Sequence, residues 1–278
     1  MTNGEIAESL RRSTVLIKTG AGRRGHAGSG VVWSRDGCVL TNAHVVRGGG
    51  VEVELWDGRS SQGAIEARDD RRDLAKLRLP FGDLPAVSVR EGPVRTGELV
   101  VASGNPLGFV GAISTGIVHS IGAIRGLSRA PWIQSTVRLA PGNSGGPLAD
   151  AEGRLIGINT MVLPGGIGLA IPVALIREFE RHGAAPLLGV TVQPVRVRSH
   201  GAVGLLVLSV APGTPAERAS LLIGDLLIGA NGAPFQTPSD LSDTIDAANG
   251  GTLRLAFLRG NRDRSREVAI AFPQREAS

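Results

Sequence analysis

Tyrosine is absent from this 278-residue sequence, and aromatic residues of all kinds make up only 3%. Single-stranded nucleic acid is held largely by stacking on aromatic side chains, so this chain offers it little. The net charge of +5 and the pI near 10.7 do not restore that reading, because the basic residues are spread along the chain without clustering. Lysine is nearly missing as well: of 30 basic residues only Lys18 and Lys76 are lysines. Cys38 stands alone, which excludes an intrachain disulfide, and its neighbours Gly37, Val39 and Leu40 mark it as a small core residue. No run reaches the ~18 apolar residues of a membrane-spanning helix. The N-terminus from Met1 to Ile6 is polar and lacks the apolar stretch of a secretory signal. A complete chain would therefore be expected in the cytoplasm, and a trimmed one could come from the periplasm or another extracytoplasmic site.

What the chain has in abundance is glycine, 40 residues, but with no fixed period, so it is not collagen-like. Short apolar runs punctuated by turns predict a mainly β protein. Strands are expected at 14–17, 30–33, 51–55 and 99–102, with hairpin dipeptides at Asp36-Gly37 and Asp57-Gly58. That spacing favours a barrel or a sandwich. A helix over 172–183 follows, with Pro172 in its first turn and Gly183 as its C-cap. The expected organisation is an N-terminal segment 1–12, a first domain 13–183, a linker 184–188 and a second domain 187–276. The second domain carries β-like runs at 189–195, 205–210, 252–258 and 267–272. A helix from Pro238 to about Ala248, capped by Thr237, completes a small α+β unit.

Three segments carry chemistry together. The first, Leu40-Thr41-Asn42-Ala43-His44-Val45-Val46, places a histidine after an apolar strand; it is either a packed core histidine or a general base. The second is Asp73-Leu74-Ala75-Lys76-Leu77-Arg78-Leu79. Alternation puts Ala75, Leu77 and Leu79 on one face, and Asp73 falls in step with them. A carboxylate at the head of an inward face suits an acid that orients a histidine; an ion pair with Arg71 or Arg72 is the alternative. Asp69 and Asp70 sit in a charged run that reads as a solvated loop. The third segment, Ala140-Pro141-Gly142-Asn143-Ser144-Gly145-Gly146-Pro147-Leu148, flanks a serine with glycines. Such a backbone turns sharply enough for amides to converge beside the hydroxyl as an oxyanion hole. The same residues match G-x-S-x-G, the nucleophile elbow of α/β hydrolases. That fold needs a helix directly after the serine, and Pro147 with the turn at 149–153 stands there instead. The order His44, Asp73, Ser144 is the chymotrypsin order.

With those motifs in place the chain resembles the HtrA (Deg) proteases. The likeness extends through Gly104-Asn105-Pro106-Leu107-Gly108, Ile156-Gly157-Ile158-Asn159-Thr160 and Gly166-Ile167-Gly168-Leu169-Ala170-Ile171-Pro172. The resemblance implies a chymotrypsin-like double β-barrel protease domain followed by an α+β PDZ domain. Its activity would be endopeptidase cleavage of unfolded or misfolded proteins in quality control, with Ser144 as nucleophile, His44 as base and Asp73 as orienting acid. Backbone amides of Gly142, Asn143 and Ser144 would hold the oxyanion. Ile158, Asn159 and Thr160 would pair with the substrate, and Leu139 would line the pocket for the side chain preceding the cut. No metal or cofactor is called for. The sequence departs from the family at Arg138, which either points to solvent or admits acidic side chains, and in a short 161–167 loop that puts loop-based activation in doubt.

In the second domain Leu187-Leu188-Gly189-Val190 stands where the family's PDZ has its carboxylate-binding loop. Segments 211–216, 224–228 and Asn231-Gly232 follow the PDZ pattern, with Ser220 where glycine is usual. C-terminal peptides would bind between Val190 and Val192 on one wall and Leu241 and Ile245 on the other, unless these four are simply core. The family also implies a homotrimer, although 5–12 lacks the aromatics that usually build one. The competing reading is a non-proteolytic chaperone or PDZ scaffold with a latent active site.

Overall fold

The computed structural model describes residues 2–20, 26–47, 50–124, 128–183, 187–196, 203–248 and 251–272. The expected linker residues 184–186 and the end of the second domain, 273–276, lie outside the described residues. The chain divides into two compact units, one built from Met1–Ala123 and Ala130–Ala184, the other mainly from Ala185–Ser278.

The polar N-terminal segment is a helix, α1 (Asn3–Ser13). Thr2 and Glu5 form a capping box: the Thr2 side chain accepts from the Glu5 amide and the Glu5 carboxylate accepts from the Thr2 amide. Ile6 and Leu10, one turn apart, are buried on its inner face.

The chain then runs through β1 (Thr14–Thr19), β2 (His26–Val32), β3 (Cys38–Thr41), β4 (Val51–Glu54), β5 (Ser60–Gln62), β6 (Ala64–Asp69) and β7 (Leu74–Arg78). These form an antiparallel sheet in the order β5-β4-β1-β2-β3-β7-β6. One core, including Ile17, Val39, Val53, Leu77 and Leu84, fills its apolar side. In β7 the alternation behaves as expected: Ala75 and Leu77 are buried while Lys76 and Arg78 are half-buried. Cys38 is buried in β3, and burial pushes its thiol up to about 11, in keeping with a packing role.

Strands β8 (Leu99–Gly104), β9 (Ala112–Ile124), β10 (Ser128–Ser135), β11 (Pro147–Asp150), β12 (Leu155–Val162) and β13 (Gly168–Pro172) close into a barrel, ordered β10-β13-β12-β11-β8-β9. Val118, Ile133, Val137, Leu148 and Ile156 fill it. Helix α2 (Val173–His182) follows with Pro172 at its N-cap and Gly183 at its C-cap, and buries Ile176 and Phe179.

In the second unit β14 (Val190–Arg196), β15 (Val203–Val210), the single turn α3 (Pro215–Arg218), β16 (Leu226–Ala230), β17 (Ala233–Pro234), α4 (Asp240–Ala248), β18 (Thr252–Arg259) and β19 (Asn261–Ala271) follow in turn. The sheet order is β14-β15-β16-β18-β19, with β17 on β16, so β14 is an edge strand. Helix α4 starts two residues later than Pro238, where Asp240 accepts from the amides of Gln236 and Thr237. No helix among the described residues is long and apolar enough to cross a membrane.

Candidate active site

His44 sits in the turn after β3, held there by its own backbone: its amide donates to Asp73 Oδ1 at 3.0 Å. The ring stands over the same carboxylate, with Nδ1 2.9 Å from Oδ1 and 2.8 Å from Oδ2. A carboxylate can only accept, so the ring proton belongs on Nδ1 and Nε2 is left as an acceptor. The His44 side chain is 36% exposed and that of Asp73 18%, so the base is partly open to solvent while its partner is largely covered. Burial works to raise the Asp73 pKa, yet hydrogen bonds from the His44 ring, the Thr160 hydroxyl and the His44 amide outweigh it and hold the carboxyl below its ordinary value.

Strand parity does not place Asp73. It lies before β7 in a left-handed turn, φ 55°, an unusual conformation that aspartate tolerates better than most residues. The Asn42 side chain fixes it by donating to the Asp73 carbonyl at 2.9 Å. Its neighbours divide differently from expectation too. Asp70 is exposed and pairs with Arg68, but Asp69 is buried and accepts from the amides of Arg71 and Arg72, each 3.0 Å. The 69–73 run is thus a built turn, and Arg72 ion-pairs with Glu178 at 2.7 Å.

Thr160 connects the acid to the serine. Its hydroxyl donates to Asp73 Oδ2 at 2.6 Å, and its carbonyl accepts from Ser144 Oγ at 2.8 Å. Among the amides of the serine turn, Asn143 departs from expectation: its N–H donates to the Ala140 carbonyl, 3.0 Å, so its hydrogen is spent inside the turn. The Gly145 and Gly146 amides are likewise used, on Asn159 and Asn143. The amides of Gly142 and Ser144 carry no such bond among the described residues. Gly142 adopts φ 104°, and a Cβ there would lie 2.5 Å from the Asn105 carbonyl oxygen, so only glycine fits.

Of the expected substrate-pairing segment, Ile158 and Asn159 lie inside the sheet, and only Thr160 borders the strand edge facing Ser144. Ile158 pairs with Pro147 on one side and Ile171 on the other, and the Asn159 backbone exchanges hydrogen bonds with Gly145 and Gly146. Both edges are therefore occupied at Ile158 and Asn159, which are fully buried. β11 begins at Pro147, so the edge of β12 facing Ser144 opens only from Thr160 through Met161 to Val162, the last two exposed. Leu139 is half-buried beside Gly168, packed on the barrel core. Arg138 is exposed, in favour of the solvent alternative. The 161–167 loop is short, closed by a bond from the Leu163 amide to the Ile167 carbonyl.

In the second unit Leu188, Leu241 and Ile245 belong to the buried core, Val190 and Val192 pack partly buried against it, and Leu187 is 62% exposed. Gly189 takes φ 88°, and a Cβ there would run into the Thr214 side chain. Among the described residues no group of His, Cys, Asp and Glu side chains is arranged to hold a metal ion.

Comparison with known proteins agrees with this geometry. Residues 28–158 match the family of trypsin-like peptidase domains, and residues 206–259 match the PDZ domain. HhoA of Synechocystis sp. is 35% identical over an alignment covering 88% of this chain and 70% of its own. The serine protease HTRA1 of Xenopus tropicalis is also 35% identical, but the chain spans only 58% of it. The solved structure of the HtrA-type protease AlgW with a decapeptide superposes with a TM-score of 0.71 at 26% identity, covering the whole of both chains. This chain belongs to the HtrA family of serine proteases, with a trypsin-like protease domain and a PDZ domain.

Proposed function

We propose that the chain is an endopeptidase that cleaves unfolded polypeptides with His44, Asp73 and Ser144. The observation that carries this reading is the doubly held His44 Nδ1, because it leaves Nε2 as the proton acceptor of a partly exposed ring. The Ser144 hydroxyl would swing from the Thr160 carbonyl to Nε2, lose its proton there and attack the peptide carbonyl. The oxyanion would be received by the amides of Gly142 and Ser144. Imidazolium, stabilised by Asp73, would return the proton to the leaving amine, and water would release the acyl group by the same route. The substrate backbone would add to the open edge at 160–162. A fluorophosphonate probe is expected to label Ser144, and unfolded casein to be cleaved by the parent but not by Ser144→Ala. Equal cleavage by both proteins would overturn the reading and leave the non-proteolytic scaffold.

The PDZ unit is proposed to capture an apolar C-terminal peptide along the edge strand β14, its carboxylate on the amides around Leu187–Val190. Because Gly189 is left-handed against Thr214, Gly189→Val should deform this loop. The affinity for a C-terminal apolar peptide, read by fluorescence anisotropy, is expected to fall at least about tenfold with protease activity retained. Unchanged affinity would move the carboxylate site elsewhere.

A further inference from the structure

The motif Gly104–Gly108 has no part in the mechanism above, yet Asn105 is fully buried against the serine turn. Its backbone amide donates to Ser29 Oγ at 2.9 Å, with its side-chain Nδ2 3.3 Å from the same atom. Nδ2 also donates to the Val15 carbonyl at 2.8 Å, and Oδ1 accepts from the Gly111 amide at 2.9 Å. The asparagine is thereby fixed from several sides.

Ser29, also fully buried, hands this constraint to the active-site loop. The Gly142 carbonyl can only accept, so Ser29 Oγ must direct its single hydrogen there, over 2.7 Å. With that hydrogen committed, the Asn105 amide finds a lone pair on the same oxygen. The Ser29 amide donates to the Ser144 carbonyl at 2.8 Å. One residue thus holds two carbonyls of the turn, one on each side of Asn143. The 142–143 peptide is pinned at both ends, its carbonyl by Ser29 and its N–H by Ala140. The 143–144 peptide is held through the Asn143 carbonyl, which accepts from Gly146. The 143–144 plane carries the Ser144 amide, and the bond from Ser29 to the Gly142 carbonyl anchors Gly142, whose own amide lies one peptide earlier.

We propose that Ser29, oriented by Asn105, is a positioning residue that holds the oxyanion turn in its receptive form by hydrogen-bonding the Gly142 and Ser144 carbonyls. This rests on the endopeptidase reading of Ser144. Without the Oγ bond only the bond from Asn143 to Ala140 still holds the 142–143 peptide, so Gly142 can shift and its amide tilt away from the developing oxyanion. Losing one such donor costs ~10²–10³ in rate, and a tilted donor costs less.

The test uses the full chain as parent, Ser29→Ala and Ser29→Cys. A parent that neither cleaves peptide nor reacts with a fluorophosphonate removes the endopeptidase reading, and this proposal with it. With an active parent, Ser29→Ala is expected to lower kcat about 10–100-fold while KM stays within about twofold. Affinity for a peptide boronic acid, whose adduct occupies the oxyanion site, should fall by a similar factor. The acid limb of the pH–rate profile should not move, because the His44–Asp73 pair is untouched. Ser29→Cys keeps a weak donor at similar volume and should recover part of kcat; it carries the same comparison if the alanine variant fails to fold. A kcat within about threefold of the parent, or a lowered kcat with unchanged boronic acid affinity, would overturn the proposal.

Discussion

Replacing Ser144 with alanine should lower kcat on a cleavable peptide by about 10⁶-fold, and replacing His44 with alanine should cost nearly as much. The two losses are expected not to multiply. Ser144 cannot attack until its proton has somewhere to go, and His44 has no task until the hydroxyl arrives, so each substitution disables the same step. The double variant should fall no further than the worse single one. What survives is the rate that positioning and the oxyanion amides give to attack by water, ~10³–10⁴ above the uncatalysed reaction. Neither change should unfold the protein: the Ser144 hydroxyl gives up one hydrogen bond to a carbonyl, and the His44 side chain is partly exposed. Single-turnover assays on the three variants, with thermal midpoints as a control, measure this directly. His44→Ala retaining more than a tenth of the parent activity would remove His44 as the base.

How much of this was readable in the sequence depends on the range of the forces involved. The four strands expected from short apolar runs and turn dipeptides, which are local signals, overlap β1, β2, β4 and β8. The helix α1 also carried a local signature, Thr2 with Glu5 three residues on and Ile6 with Leu10 four apart, inside a segment that is otherwise polar. Asp73 was placed by parity for the wrong reason. Its left-handed turn is tied by a hydrogen bond to Asn42, 31 residues earlier, and no pattern within 73–79 records that. That Ile158 and Asn159 are covered on both sides was hidden because it is decided by where β11 begins, a matter of register between strands. Ser29 was invisible for the strongest form of the same reason: its acceptor lies 113 residues away. Motifs named the reacting groups, and long-range hydrogen bonds decided which of their neighbours serve them.

Replacing Asp73 with asparagine should lower kcat about 10⁴-fold and leave KM nearly unchanged, because the substitution sets the wrong proton on His44. The Oδ1 position faces the His44 backbone N–H, which can only donate, so the amide oxygen must settle there. Its NH₂ then occupies the Oδ2 position, between the Thr160 hydroxyl and His44 Nδ1. The hydroxyl can rotate and accept. Nδ1 can accept only by giving up its proton, which moves to Nε2, the atom that must take the proton from Ser144. Thr160→Val, by contrast, removes one hydrogen bond to Asp73 and keeps the carboxylate, so it should cost only about tenfold. Stability carries a second signature. Asp73 titrates below its ordinary value in the folded protein, so the charge stabilises the fold above about pH 4, and that contribution disappears as pH falls through the lowered pKa. The stability gap between parent and Asp73→Asn should therefore narrow in acid. Nitrogen-15 NMR of the imidazole decides the cause: the variant should show its proton on Nε2 at neutral pH, and a proton still on Nδ1 would mean that Asp73 does not set the tautomer.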